Sequence, residues 1–147
     1  MKNHIVGFLA VILMGVCIFQ GCSHTENEAM TTLTTTRMAE KMNYDQITPA
    51  EAKKIMDTEK NYIVLDVRTE EEYNEGHIEG AVLIPDYEIN TKAESILKDK
   101  DQLLLVYCRS GRRSKLAAES LAALGYTNIK EFGGIIDWQY EIVTELK

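Results

Sequence analysis

The sequence predicts an α/β domain in three layers, a parallel sheet with helices on both faces. Short, nearly continuous apolar runs recur, YIVLDV (62–67), AVLIP (81–85) and QLLLVY (102–107). Runs of this kind are strands buried on both sides. Between them lie amphipathic segments with helix-capping residues at their starts. Strand and helix alternate at the spacing of βαβ units, which builds a parallel sheet.

The first element of the domain is a helix over ITPAEAKKIM. Thr48 is placed to cap it, Pro49 suits the first helical position and Glu51 completes a capping box. Ala52, Ile55 and Met56 supply its inward face. YIVLDV follows as a strand. TEEEYNEG is a short helix with Thr69 as cap and acids in its first turn, where they complement the helix dipole. AVLIP is a second buried strand, stopped by Pro85, and KAESILKD a helix. QLLLVY is a third strand, ending at Cys108. RSKLAAESLAALG has Ala117, Leu121 and Leu124 on one side and Gly125 as its stop. NIKEF is a short strand. IIDWQYEIVTEL is expected to close the domain as a helix, entered through a turn at Gly133 and Gly134. Trp138 is expected in the core or in a pocket wall.

With 147 residues the chain has room for one domain and a modest core. Its net charge of −7 argues against nucleic acid as a partner, because binding phosphates needs a basic face. Against that acidic background, Arg109, Arg112, Arg113 and Lys115 crowd behind Cys108, a local site for a small anion.

The N-terminus reads as an export signal. MKNH is a short positive start and IVGFLAVILMGVCIF an apolar stretch of signal-peptide length, short for a membrane span. It leads into FQGCS (19–23), which resembles a bacterial lipoprotein lipobox, with Phe19 where leucine is usual. The expectation is a signal peptide over 1–21, lipid on Cys22, a Thr-rich tether over 22–43 and the domain over 44–147. The chain is then a membrane-anchored lipoprotein on the extracytoplasmic side, held by several acyl chains where one would hold only marginally. The bland alternative is an uncleaved anchor. Cleavage removes Cys17 and acylation caps Cys22, which leaves Cys108 without a partner for an internal disulfide.

Cys108 stands at the carboxyl end of a strand in a parallel sheet, where ligands of such sheets gather. The stretch CRSGRRS then turns the chain into a helix. A tight turn there points backbone N–H groups inward, Gly111 relieves its crowding, and the helix adds its positive end. A thiol at the focus of those dipoles, with arginines nearby, is expected to ionise below the ordinary ~8.5. The thiolate is the nucleophile. The competing reading is an inert core cysteine.

The stretches LDVRTEEEYNEGHIEGAVLIP, VYCRSGRRS and LGYTNIKEFGGIIDW, in that order, resemble the signatures of a single-domain rhodanese, a sulfurtransferase, over roughly residues 44–146. Many relatives carry asparagine where Leu83 stands, a matter of strand packing. The resemblance implies a central five-stranded parallel sheet. It also implies that Cys108 takes a sulfane sulfur from a small anionic donor such as thiosulfate, becomes a persulfide, and passes the sulfur to cyanide or a thiol. The donor-binding loop is then Arg109, Ser110, Gly111, Arg112 and Arg113, with Arg109 and Arg112 orienting the anion and Arg113 free to turn toward an acid. Phosphatases and arsenate reductases of related fold place an arginine after cysteine and five residues, which here is Ser114, so that chemistry is disfavoured. A non-enzymatic persulfide carrier serving a partner protein is the remaining alternative.

Asp66 and Arg68 end the neighbouring strand. Either they brace the Cys108 loop from behind, or they form a structural ion pair that draws in Glu72; neither chemical step needs a proton relay, which favours the second. His77 could titrate near neutrality, but at a strand entrance it reads as packing. His4 and His24 lie in the signal and tether. No Cys and His cluster has metal-site spacing and no glycine-rich nucleotide loop is present, so no metal or cofactor is expected. A monomer is expected.

Overall fold

The computed structural model describes residues 43–144. The signal peptide, the tether up to residue 42 and the lipidation site at Cys22 lie outside them. All strands of the sheet run parallel: β1 (Asp45–Gln46), β2 (Tyr62–Asp66), β3 (Val82–Leu83), β4 (Leu103–Cys108) and β5 (Ile129–Gly134), in the spatial order β1-β5-β4-β2-β3. The most apolar run, β4, takes the centre. The two-residue strands take the edges, where short length limits unwanted pairing.

Helices α1 (Pro49–Thr58), α2 (Glu70–Glu75), α3 (Ile89–Ile96) and α4 (Arg112–Ala123) cover the sheet. Thr48 and Thr69 each close a full capping box, with Glu51 and Glu72 respectively, as their spacing predicts. Alternation along the strands sorts the core into two layers. On one face Leu65, Leu104, Val106 and Ile129 pack against Ala93 of α3, Leu97 just after it, and Ala117, Ala118 and Leu121 of α4. On the other, Val64, Leu105, Tyr107 and Phe132 pack against Ala52, Ile55 and Met56 of α1 and Tyr73 of α2. Cys108 belongs to the first layer and Tyr107 to the second. This is the three-layer arrangement read from the sequence.

Three expectations need correction. The strand β1 was not apparent: it is two exposed polar residues inside the segment adjoining the tether, recruited only by pairing with Lys130 and Glu131 of β5. AVLIP pairs at Val82 and Leu83 alone, and both are half-buried, because an edge strand has one neighbour. The closing helix is absent from the described residues. A 3₁₀ turn over Ile135–Asp137 leads into irregular chain through residue 144. There the Trp138 ring packs on Phe132 and meets the edge of Tyr140, a contact between residues two apart that an α-helix would place on different faces. Val143 meanwhile exchanges backbone hydrogen bonds with His77, at 2.8 and 2.9 Å. Those groups would have had to serve a helix.

Candidate active site

The strands on either side of the β2–β4 junction connect outward in opposite directions, β2 to β3 and β4 to β5. This is a topological switch point, where a crevice opens at the strand ends. Cys108 stands there as the last residue of β4, a free cysteine 1% exposed.

The chain leaves Cys108 through Arg109 and Ser110 and enters α4 at Gly111. Gly111 has φ 91°, a left-handed conformation that a side chain strains to adopt. Its N–H donates to the Cys108 Sγ at 3.1 Å. Burial pushes the thiol up. The Ser114 hydroxyl, so far as its one proton turns to sulfur, and the N–H groups of Ser114, Ser110 and Gly111 pull it down, and the thiol lies below its ordinary value.

The floor under this loop is the end of β5. A Cβ on Gly134 would stand 2.2 Å from the Arg109 carbonyl oxygen and 2.6 Å from the Ser110 Cα. Only glycine lets the two backbones touch. The same Arg109 carbonyl accepts from the Ile136 N–H at 3.3 Å. Gly134 thus seats the loop, and the turn it opens is the 3₁₀ turn Ile135–Asp137 in place of the expected closing helix.

The arginines divide. Arg113 forms a two-pronged pair with Glu72 of α2, Nη1 to Oε2 at 2.7 Å and Nη2 to Oε1 at 2.8 Å. Its hydrogen bonds hold the Glu72 carboxyl down at about 2. The resemblance puts Arg113 in the donor-binding loop and leaves it free to turn toward an acid; the structure gives its fork to Glu72. Arg109 and Arg112 are exposed and form no ion pair among the described residues. With Ser110, also exposed, they rim the loop.

Asp66 and Arg68 do not brace the loop. They form a buried pair, Nη2 to Oδ2 at 2.6 Å, joined by the Tyr107 hydroxyl, which donates to Asp66 Oδ2 at 2.6 Å, and by the Gly76 carbonyl, which accepts from Arg68 at 2.8 Å. Alternation is the reason. Val64 and Tyr107 mark the face toward α1 and α2, which Asp66 shares, whereas Cys108 faces α4. The structural ion pair is the reading the structure supports, with Tyr107 in the place expected for Glu72. His77 is buried and stacked on Tyr73, ring centroids 3.6 Å apart, with Nδ1 3.0 Å from the Tyr73 carbonyl oxygen. Packing accounts for it.

Two residues beside Cys108 escaped the sequence reading. Ser114 is fully buried in the first turn of α4, and Glu131 of β5 is 2% exposed with Oε1 2.6 Å from the Ser114 hydroxyl. The available signal was Glu131 itself, an acid that the alternation of NIKEF puts on the same face as Ile129.

Comparison with known proteins agrees with this geometry. The family model for the rhodanese-like domain matches residues 48–141. The chain is 38% identical over 73 residues to the thiosulfate sulfurtransferase PspE of Escherichia coli, covering 50% of this chain and 70% of that protein. It is 36% identical over 88 residues to a sulfurtransferase of Allochromatium vinosum, covering 59% of this chain and 79% of that one. A solved rhodanese from E. coli, described as holding anions, superposes with a TM-score of 0.54 at 35% identity, over 56% of this chain and 98% of that one.

Proposed function

Because the chain belongs to the rhodanese-like domain family, we propose that it is a sulfurtransferase working through a persulfide on Cys108. The donor is a small anion carrying a sulfane sulfur, such as thiosulfate, and the acceptor is cyanide or a thiol. The observation that carries this reading is the cradle around one sulfur atom: the Gly111 N–H at 3.1 Å, further N–H groups behind it and the start of α4. Its fixed donors stabilise negative charge on sulfur without reorganising.

The reaction is a double displacement. The Cys108 thiolate attacks the outer sulfur of the donor. A new S–S bond forms, the donor's S–S bond breaks, and sulfite leaves with the bonding pair. The acceptor then attacks the outer sulfur of the persulfide, and the pair of that S–S bond returns to Cys108. No net oxidation occurs, and sulfite leaves without a strong general acid. Arg109 and Arg112, exposed at the rim and in no ion pair among the described residues, draw in and orient the anionic donor. The relatives named as sulfurtransferases and the anions of the solved rhodanese support this assignment.

The deciding experiment measures thiocyanate formed from thiosulfate and cyanide by wild type and Cys108→Ser, with mass spectrometry for one added sulfur on Cys108. Activity surviving in the variant removes Cys108 from the mechanism. A persulfide that forms but turns over slowly identifies a carrier serving a partner protein.

We place this chemistry outside the cytoplasm on a lipid anchor at Cys22, on the strength of FQGCS alone. Fatty-acid labelling of the chain, lost in Cys22→Ser, is the result this requires.

A further inference from the structure

Glu131 is a carboxylate in a costly position. It lies on the buried face of β5, and no Lys, Arg or His among the described residues forms an ion pair with it. A buried charge without a counter-ion persists only when hydrogen bonds compensate it. Here Oε1 accepts from the Ser114 hydroxyl at 2.6 Å and from the Gly133 N–H at 2.9 Å. Both donors belong to the surroundings of Cys108. Gly111, whose N–H donates to the sulfur, sits against the same oxygen: a Cβ there would stand 4.0 Å from Glu131 Oε1.

Ser114 has one hydroxyl proton and two anions facing it, the Cys108 thiolate and the Glu131 carboxylate. A carboxylate oxygen is a stronger acceptor than sulfur. The separation of 2.6 Å is that of a charge-assisted O–H···O bond. The carbonyl oxygens of Gly111 and Gly133, at 3.1 and 3.3 Å, compete less well.

We propose that Glu131 is a positioning residue for sulfur transfer: it takes the hydroxyl proton of Ser114, so that backbone N–H groups alone stabilise the Cys108 sulfur. The inference rests on the reading of Cys108 as the nucleophile. A thiolate with one donor fewer, and with a fixed negative charge behind its loop, is more basic. It therefore attacks a donor sulfur faster once ionised and leaves a persulfide more slowly. Glu131 thus favours loading of the cysteine over its discharge.

The other charged groups nearby are accounted for. On α4, Arg112 and Lys115 are exposed and Arg113 is held by Glu72 of α2. Arg109 in the loop is exposed. Asp86, on the 3₁₀ turn after β3, acts on Arg113. Lys130, next to Glu131 on β5, pairs with Asp45 of β1.

The test is the pH dependence of iodoacetamide alkylation at Cys108 in the full chain, followed by mass. Glu131→Gln keeps the shape and removes the charge; its amide oxygen, facing the Gly133 N–H, is a weaker acceptor than the carboxylate and holds the Ser114 hydroxyl proton less firmly against the pull of the sulfur. The expected result is a midpoint lowered by about half a unit to one unit. Ser114→Ala should then raise the midpoint in the Glu131→Gln background and leave it in place in the wild-type background. An unchanged or raised midpoint in Glu131→Gln, or equal shifts from Ser114→Ala in both backgrounds, overturns the proposal. Should Glu131→Gln not fold, Ser114→Ala alone decides: an unmoved midpoint supports the proposal and a raised one refutes it. Alkylation reads the thiol without any sulfur donor, so failure of sulfur transfer and failure of this inference are told apart.

Discussion

Arg113 gives both terminal nitrogens of its guanidinium to Glu72, at 2.7 and 2.8 Å, and so ties the first turn of α4 to α2 across the mouth of the active loop. One of the arginines that follow the glycine turn is thereby committed to the fold. Arg109 and Arg112, exposed and in no ion pair among the described residues, are left to meet an anionic donor.

Breaking that tie should trade stability for donor binding. Glu72→Gln leaves Arg113 without its carboxylate, and the expected loss is about 1 kcal/mol, the upper range for a partly exposed pair. The free guanidinium adds a cation beside Cys108, so the KM for thiosulfate should fall. The wild-type Glu72 carboxyl is held at about 2 against its ordinary 4.5. A group depressed in the folded state contributes its full stability above 4.5 and loses it as pH falls toward about 2. Acid unfolding of wild type and variant, followed by circular dichroism, should therefore converge at the bottom of that window.

Arg109→Ala and Arg112→Ala should each raise the KM for thiosulfate about two- to fivefold, the range for exposed charges. Turnover at saturating donor should change little. Added salt should raise the wild-type KM and flatten the difference between variants. Steady-state kinetics at two ionic strengths checks both statements.

Gly134→Ala should cost activity more than any surface change. Its Cβ would stand 2.2 Å from the Arg109 carbonyl oxygen, a backbone atom that cannot rotate away. The loop must lift, and the Gly111 N–H moves off the Cys108 sulfur. Overpacking of this kind costs about 1–3 kcal/mol. Thermal unfolding and the thiosulfate assay should both register the change, while Gly80→Ala, strained at φ 74° but with no atom within 4 Å of its Cβ, should lower stability and leave the assay of the folded protein unchanged.

The Asp66–Arg68–Tyr107 group should matter for stability alone. Tyr107→Phe leaves the Ile78 N–H without its 3.2 Å acceptor and takes one donor from Asp66, costing about 1–3 kcal/mol. Asp66→Ala strands the buried Arg68 charge and should cost about 3–5 kcal/mol. Both variants, where folded, should keep the wild-type kcat because this group faces α1 and α2. A tenfold loss of kcat in folded Tyr107→Phe would reinstate a role behind the loop.

In the wild-type chain the rate of Cys108 alkylation should rise with pH and level off, with its midpoint below the ~8.5 of a free thiol. Burial disfavours the thiolate, the hydrogen-bond donors of Ser114, Ser110 and Gly111 together favour it, and the donors prevail. A midpoint at or above the free-thiol value would remove the electrostatic argument for the nucleophile.

What the sequence determined by itself is local. Apolar runs marked β2 and β4, Thr48 with Glu51 and Thr69 with Glu72 marked the starts of α1 and α2, and the position of Cys108 between a strand and a helix marked the candidate site. These follow from periodicity and from hydrogen bonds between residues a turn apart, which a linear reading contains. Tertiary structure decided whatever depends on partners far along the chain. Asp45 and Gln46 became a strand only because β5 offered an unpaired edge. The tail after Asp137 forgoes a helix for aromatic contacts and a bridge to His77. Arg113 left the loop for an acid 41 residues away, and Glu131 reached Ser114 across 17. Side chains of charged residues are long and their choice of partner is set by which face of which element lies opposite, a property of packing that no local pattern records.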